Sequence, residues 1–268
     1  RQALHVRPRR SGSGRTEPPV RRELPPLCLD HLWRLSDSTG VLQHATFDVP
    51  NAAEGYCSDD NARALGLMVL LDDLGLETPR TVRATTIYAA FLGHAFVPAT
   101  GRFRNFMGFD RHWLDEHGSD DCLGRVILAL GACVGRSRHP NLQRWAMTFW
   151  DAALAALLDS TSPRGWAMGI LGVQEYLRRL DGDRRAADVR LRLTERLLAL
   201  QRSSADDGWP WLEDVVAYDN GRLCQALISS GRWTGHDEAL RAGLRMLEWL
   251  STVQSSAAGR FAPVGCHG

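Results

Sequence analysis

The sequence predicts an all-α protein of the (α/α) toroid class, and three observations carry that expectation. Helical periodicity continues almost without a break from Leu27 onward. The helices alternate between one kind that is apolar nearly all round and another that is apolar on a single face. The connections that lead into the first kind, Pro98 to Ser119 and Ser203 to Asp214, are long and rich in glycine, tryptophan and acids. An open α-solenoid such as a TPR or HEAT array has short turns instead.

Taken in order, residues 1–26 hold many Arg and Pro and a Ser-Gly-Ser-Gly run, with too few large apolar side chains to offset the entropy of ordering. They read as a linker or tail. It has no apolar stretch of the signal-peptide type, and a chain that opens without methionine is expected to continue upstream. Residues 27–268 form the toroid domain. A short helix is expected near Cys28 to Leu35. Asp59 to Leu74, with its ALGLMVLL run, is the first helix apolar on every side, and Arg80 to Val97 is its one-faced successor. Asp121 to Val134 is again apolar all round, followed by the stripe Leu142, Trp145, Phe149, Ala152 and Ala156. Arg164 to Leu180 precedes the stripe Ala187, Leu191, Thr194 and Leu198, and Val215 to Ser230 precedes Leu240, Leu244, Leu247 and Leu250.

Buried and one-faced helices thus alternate at roughly 45 to 60 residues per pair, as two concentric layers require. Inner helices of such a ring run parallel, so their N-termini share one mouth. About nine helices can be counted where a closed six-hairpin ring has about twelve. The ring is therefore expected to be truncated at its C-terminal side, with an apolar open edge that favours aggregation or dimerisation.

Composition narrows the function. Thirty-two basic and 31 acidic residues leave a net charge of +1, too little field to hold nucleic acid or an anionic membrane. At 44% hydrophobic and 24% charged, with no window of 18 apolar residues, no membrane span is expected. The six cysteines, Cys28, Cys57, Cys122, Cys133, Cys224 and Cys266, form no C-x-x-C pair, which fits a reducing, cytoplasmic setting better than a disulfide framework. No P-loop, dinucleotide fingerprint or G-x-S-x-G elbow is present, and His112 and His117 lack the spacing of a metal-binding helix. No cofactor and no metal are expected.

The chemistry-bearing pattern is a repeated acid–arginine signature at the starts of three buried helices. It reads Asp59-Asp60-Asn61-Ala62-Arg63, then Asp120-Asp121-Cys122-Leu123-Gly124-Arg125, then Tyr218-Asp219-Asn220-Gly221-Arg222. Capping and the helix dipole explain any one copy. Three copies aimed at one mouth add paired carboxylates and arginines that capping does not require. A further acid, Glu213, sits in Trp209-Pro210-Trp211-Leu212-Glu213-Asp214, and tryptophans including Trp113, Trp166, Trp209 and Trp211 are expected to rim the mouth unless they plug the core. Indole faces stack on sugar C–H surfaces while carboxylates and arginines bond hydroxyls, so a saccharide is the expected ligand. Glycoside hydrolysis needs one protonated carboxyl and one carboxylate. Glu213, with apolar sequence neighbours, is the candidate acid and Asp60 or Asp121 the candidate base. Asp59, Arg63, Asp120, Arg125, Asp219, Arg222, Trp166, Trp209, Trp211 and His44 are the candidate binding residues.

The segments TGVLQHA, GYCSDDNARAL, GSDDCLGRVILALG, YDNGRL and GRFAPVG, in that order, resemble a bacterial and archaeal family of six-hairpin glycosidase-like toroids. That family's domain is often fused behind, or encoded beside, a retaining-type glycosyltransferase. The resemblance spans His31 to Gly265 and implies a carbohydrate role, with a glycosyltransferase domain as a possible neighbour. Its pattern continues with closing helices after PVG, where this chain ends. This chain has Leu212 where an aromatic is common, and Asp120 and Leu123 where Glu and His are common; neither departure removes a carboxylate. A glycoside hydrolase is the first expectation, a non-catalytic glycan-binding accessory domain the second. A sugar epimerase comes third, because only His44 offers an imidazole near the mouth.

Overall fold

The computed structural model describes residues 25–206 and 208–264, so the linker expected over 1–26 lies almost wholly outside the described residues. Among the described residues the chain is predominantly helical, with nine α-helices and little sheet. They are α1 (Asp30–Leu35), α2 (Ser58–Asp73), α3 (Pro79–Ala95), α4 (Asp120–Arg136), α5 (Pro140–Leu158), α6 (Pro163–Leu177), α7 (Arg184–Ser204), α8 (Asn220–Thr234) and α9 (Asp237–Val253). Oxygen-bearing caps start several of them: Ser119 for α4, Ser162 for α6 and Asp183 for α7 each accept a free N–H of the first turn, and proline follows the cap of α3, α5 and α6.

The all-round apolar helices α2, α4, α6 and α8 pack side by side in that order, and each also packs on its one-faced successor α3, α5, α7 or α9. Helices α2, α4 and α6 are parallel. At one end Arg125 of α4 reaches Asp59 of α2, and at the other Arg136 of α4 reaches both Asp73 of α2 and Glu175 of α6. The core between the layers holds Leu65, Met68, Leu92, Ile127, Leu130, Leu154, Leu193 and Leu227, all at most 2% exposed, and Trp150 stacks on Tyr176 at 4.2 Å between ring centres.

The tightest contact joins α4 and α6, and glycine makes it possible. A methyl group at Gly124 would lie 2.7 Å from the Gly165 carbonyl oxygen, and one at Gly172 would lie 2.6 Å from that of Ile127. Gly131 faces Gly172, and Gly135 faces Glu175, even more closely. The two helices therefore touch backbone to backbone.

Two features differ from expectation. Helix α8 starts at Asn220 rather than Val215, because Asp219 adopts a left-handed backbone (φ 50°) that a helix cannot pass through. The loops contain three short antiparallel ladders: β1 (Ala45–Thr46) with β2 (Val49–Pro50), β3 (Tyr56–Cys57) with β6 (Phe106–Met107), and β4 (Phe96–Val97) with β5 (Arg102–Phe103). Two-residue strands are too short to show an alternating pattern in sequence. The β3–β6 ladder ties the residues before α2 to the long loop before α4, which also bonds to Ser58 and Asp120 at the N-terminal ends of these two helices.

Candidate functional site

The N-terminal ends of the inner helices bring together acids and arginines that are far apart in sequence. Arg125, on the second turn of α4, is largely buried and sits between two carboxylates, with Nε 3.1 Å from Asp59 and an Nη atom 2.5 Å from Asp219. The left-handed backbone of Asp219 is part of this arrangement: its side chain makes no capping bond to α8 and is spent on Arg125 instead. Asn105, from the loop before α4, holds Asp59 from the other side. Burial lifts the Asp59 carboxyl above its ordinary value, against the opposing pull of Arg125 and Arg63.

A second network lies beside the first. Arg164, in the first turn of α6 and 4% exposed, forks onto both oxygens of Glu213 at 2.6 and 2.9 Å and donates to the Tyr218 carbonyl at 2.6 Å. Its guanidinium lies over the Tyr218 ring, 4.4 Å from the ring centre. The Tyr218 hydroxyl donates in turn to Asp121, whose other oxygen accepts from Ser162. Burial and the bond to Asp121 push the Tyr218 phenol up to about 12, so at neutral pH it remains a donor.

Asp120 faces the other way. Its carboxylate accepts from Arg102 at 2.8 Å and from the backbone N–H of Thr161 at 2.7 Å and Ser162 at 3.3 Å. Burial alone would raise this carboxyl, but the N–H of Thr161, Arg102 and the N–H of Ser162 together hold it below its ordinary value. Asp60 pairs with Arg63 one turn on, at 2.6 Å, and accepts from the Cys57 thiol at 3.1 Å.

The structure thus brings together Asp59, Arg125 and Asp219, and beside them Asp121 and Glu213, from α2, α4 and the segment before α8. Other expected residues stand apart. Trp211 is fully buried, stacked near Trp249 at 5.8 Å, and belongs to the core rather than to a rim. Trp209 is half-buried; its indole N–H donates to the Glu213 carbonyl at 2.8 Å and its ring meets Trp249 edge-on. Trp166 donates to the Ser160 carbonyl at 2.9 Å, with Arg196 over its ring. Trp113 packs on Phe91 and His94. Arg222 is exposed and bonded to Gln225, and His44 is exposed. His112 and His117 are also exposed, and His112 pairs with Asp110 rather than with another imidazole.

The environment of Glu213 differs from the one its sequence neighbours suggest. Trp211 and Leu212 turn into the core, and what faces the carboxylate in space is the guanidinium of Arg164. With both oxygens on a cation, Glu213 is placed to hold Arg164 and Tyr218. Three residues of the site, Arg164, Ser162 and Asn105, carry no weight in a motif reading, and Tyr218 entered one only as the residue that opens the Tyr218-Asp219-Asn220-Gly221-Arg222 signature. Arg164 left a signal as a charge opening a largely apolar helix.

No protein-family model matches the chain, and no curated protein matches it. Among the described residues no helix is long and apolar enough to cross a membrane.

Proposed function

We propose that this is a carbohydrate-active protein whose saccharide site is the mouth formed by the N-terminal ends of α2, α4, α6 and α8, most simply a glycoside hydrolase on an (α/α) toroid of the six-hairpin type. The observation that supports the reading is the clamp of Arg125 between Asp59 and Asp219, residues 160 positions apart on α2 and at the head of α8. A merely structural helix cap does not need a buried cation shared between two acids. Sugar hydroxyls are recognised by this mixture of fixed carboxylates, guanidinium groups and a phenol.

Within this reading the acid and base roles follow from environment. Asp59, raised by burial, is the carboxyl best suited to carry a proton, and Asp121, accepting from Tyr218 and Ser162, is the carboxylate oriented to activate water or attack a sugar carbon. Asp60 lies next to both functions, held by the half-exposed Arg63 and the buried Cys57 thiol. Glu213 positions rather than reacts.

One observation favours a second reading, a non-catalytic glycan-binding domain that serves an attached glycosyltransferase. The arginines of the mouth are all engaged by internal partners: Arg125 by two aspartates, Arg164 by Glu213. Such a preset network suits binding as well as turnover. Reducing-end release from a panel of oligosaccharides, with the wild-type chain and Asp121→Asn, separates the two. Release that Asp121→Asn abolishes supports the hydrolase; saturable binding without release supports the accessory domain; neither binding nor release contradicts both.

A further inference from the structure

At the end of the molecule away from the mouth, three potential metal ligands from three chain segments converge. Asp72 is in the last turn of α2, Glu77 in the connection to α3, and His139 at the head of α5. One ligand atom of each lies within 4.8 Å of the other two. His139 Nε2 is 2.7 Å from Glu77 Oε1 and 3.9 Å from Asp72 Oδ1. We propose that Asp72, Glu77 and His139 form a zinc-type divalent-cation site.

Four ligands at about 2.1 Å around a tetrahedral centre are about 3.4 Å apart. His139 Nε2 and Asp72 Oδ1 are a little farther apart than that, and His139 and Glu77 are joined by a direct hydrogen bond that an entering ion would replace. One imidazole with two carboxylates suits Zn2+ better than Mg2+, which takes oxygen donors and retains its waters.

The ligands are also held for the purpose. Asp72 is 3% exposed, and its Oδ2 accepts from Ser137 Oγ at 2.9 Å and from the Arg138 N–H at 2.8 Å, which fixes the carboxylate plane and leaves Oδ1 facing His139. Arg138 Nε also donates to Oδ1, at 2.7 Å. A carboxylate oxygen has a second lone pair, and the guanidinium on the first is itself half-exposed, which leaves the other side of Oδ1 to an ion.

His139 occupies the cap position of α5 yet makes no capping bond, so its ring is not spent on the helix. Glu77 and His139 border a groove of about 370 Å3 between α3 and α5, shared with Thr85, Asn141 and Trp145. A fourth coordination position opens into that groove, where water or a ligand atom can complete the shell.

The test is isothermal titration of the metal-stripped chain with Zn2+ alone and, separately, Mg2+. The wild-type chain is expected to bind one Zn2+ with micromolar or tighter affinity, to ignore Mg2+, and to melt at higher temperature with Zn2+ than with a chelator. His139→Ala and Glu77→Gln, both at solvent-accessible positions, are expected to weaken Zn2+ binding by about 100-fold while keeping the helical spectrum. Replacing Zn2+ by Co2+ should give the visible absorption of a four-coordinate ion, lost in His139→Ala. Wild-type protein that binds no Zn2+, or that binds it equally well in both variants, overturns the proposal.

Discussion

Replacing Gly131 by alanine tests the contact that sets the spacing of the inner helices. Gly131 faces the Gly172 carbonyl, and the neighbouring positions show how little room the interface has: added methyl groups at Gly124 and Gly172 would lie 2.7 and 2.6 Å from backbone oxygens. Ordinary carbon–oxygen contact is well beyond 3 Å, and a backbone carbonyl inside a helix cannot rotate away, so α4 and α6 must separate by about an ångström. Overpacking of a core costs about 1–3 kcal/mol, and a backbone-to-backbone contact belongs at the upper end. A loss of about 3 kcal/mol corresponds to a melting temperature lower by roughly 6–12 °C for a domain of this size. Gly66 in α2 is the internal control. A methyl group there meets nothing within 4 Å, so Gly66→Ala should stabilise the protein by about 0.5–1 kcal/mol through helix propensity alone. Urea unfolding followed by circular dichroism reads both variants. If Gly131→Ala unfolds within about 0.5 kcal/mol of wild type, or no differently from Gly66→Ala, the close approach of α4 and α6 is wrong. The consequence reaches the mouth, because this spacing places Asp121 of α4 against Ser162 at the cap of α6.

Three further outcomes follow from the ion pairs. Glu213→Gln should cost about 1–3 kcal/mol in urea unfolding, because it removes one charged oxygen from the fork on Arg164; unchanged stability would mean that the fork does not form in solution. Asp120, whose carboxyl is held low, contributes stability that is fully present above the ordinary carboxylate value and is lost as pH falls through its lower folded value; the difference between wild type and Asp120→Asn should therefore be constant at neutral pH and shrink as pH falls below about 4. Asp59 carries the opposite sign: its raised carboxyl makes ionisation costly to the fold, so this cost should diminish as pH falls through the folded value, and a difference between wild type and Asp59→Asn that is flat from pH 7 to 4 would contradict it.

The helical layers were legible because period 3.6 separates all-round apolar segments such as 121–134 from one-faced segments such as 142–156, and burial follows from that contrast. The start of α8 was not, since a left-handed Asp219 leaves no trace in an apolar pattern that runs on from Val215. The α4–α6 glycines were hidden for a related reason: glycine within an apolar helix reads as a propensity defect until a partner helix is known. At the mouth, Asp59, Asp121 and Arg125 were visible as charges opening buried helices. Their partners Tyr218, Ser162 and Arg164 come from other segments, and a single sequence holds no record of spatial proximity. Glu213 shows the limit most clearly, because its neighbours along the chain are apolar and its neighbour in space is a guanidinium.

Hydrogen–deuterium exchange of the chain saturated with a bound oligosaccharide tests the location of the saccharide site most directly. The account predicts slowed exchange in the first turns of α2, α4, α6 and α8 and in the 213–219 segment, with the slowing lost in Arg125→Gln. Slowing confined to the outer helices, or an unchanged pattern at the inner N-termini under saturating ligand, would contradict the assignment of the mouth as the carbohydrate site.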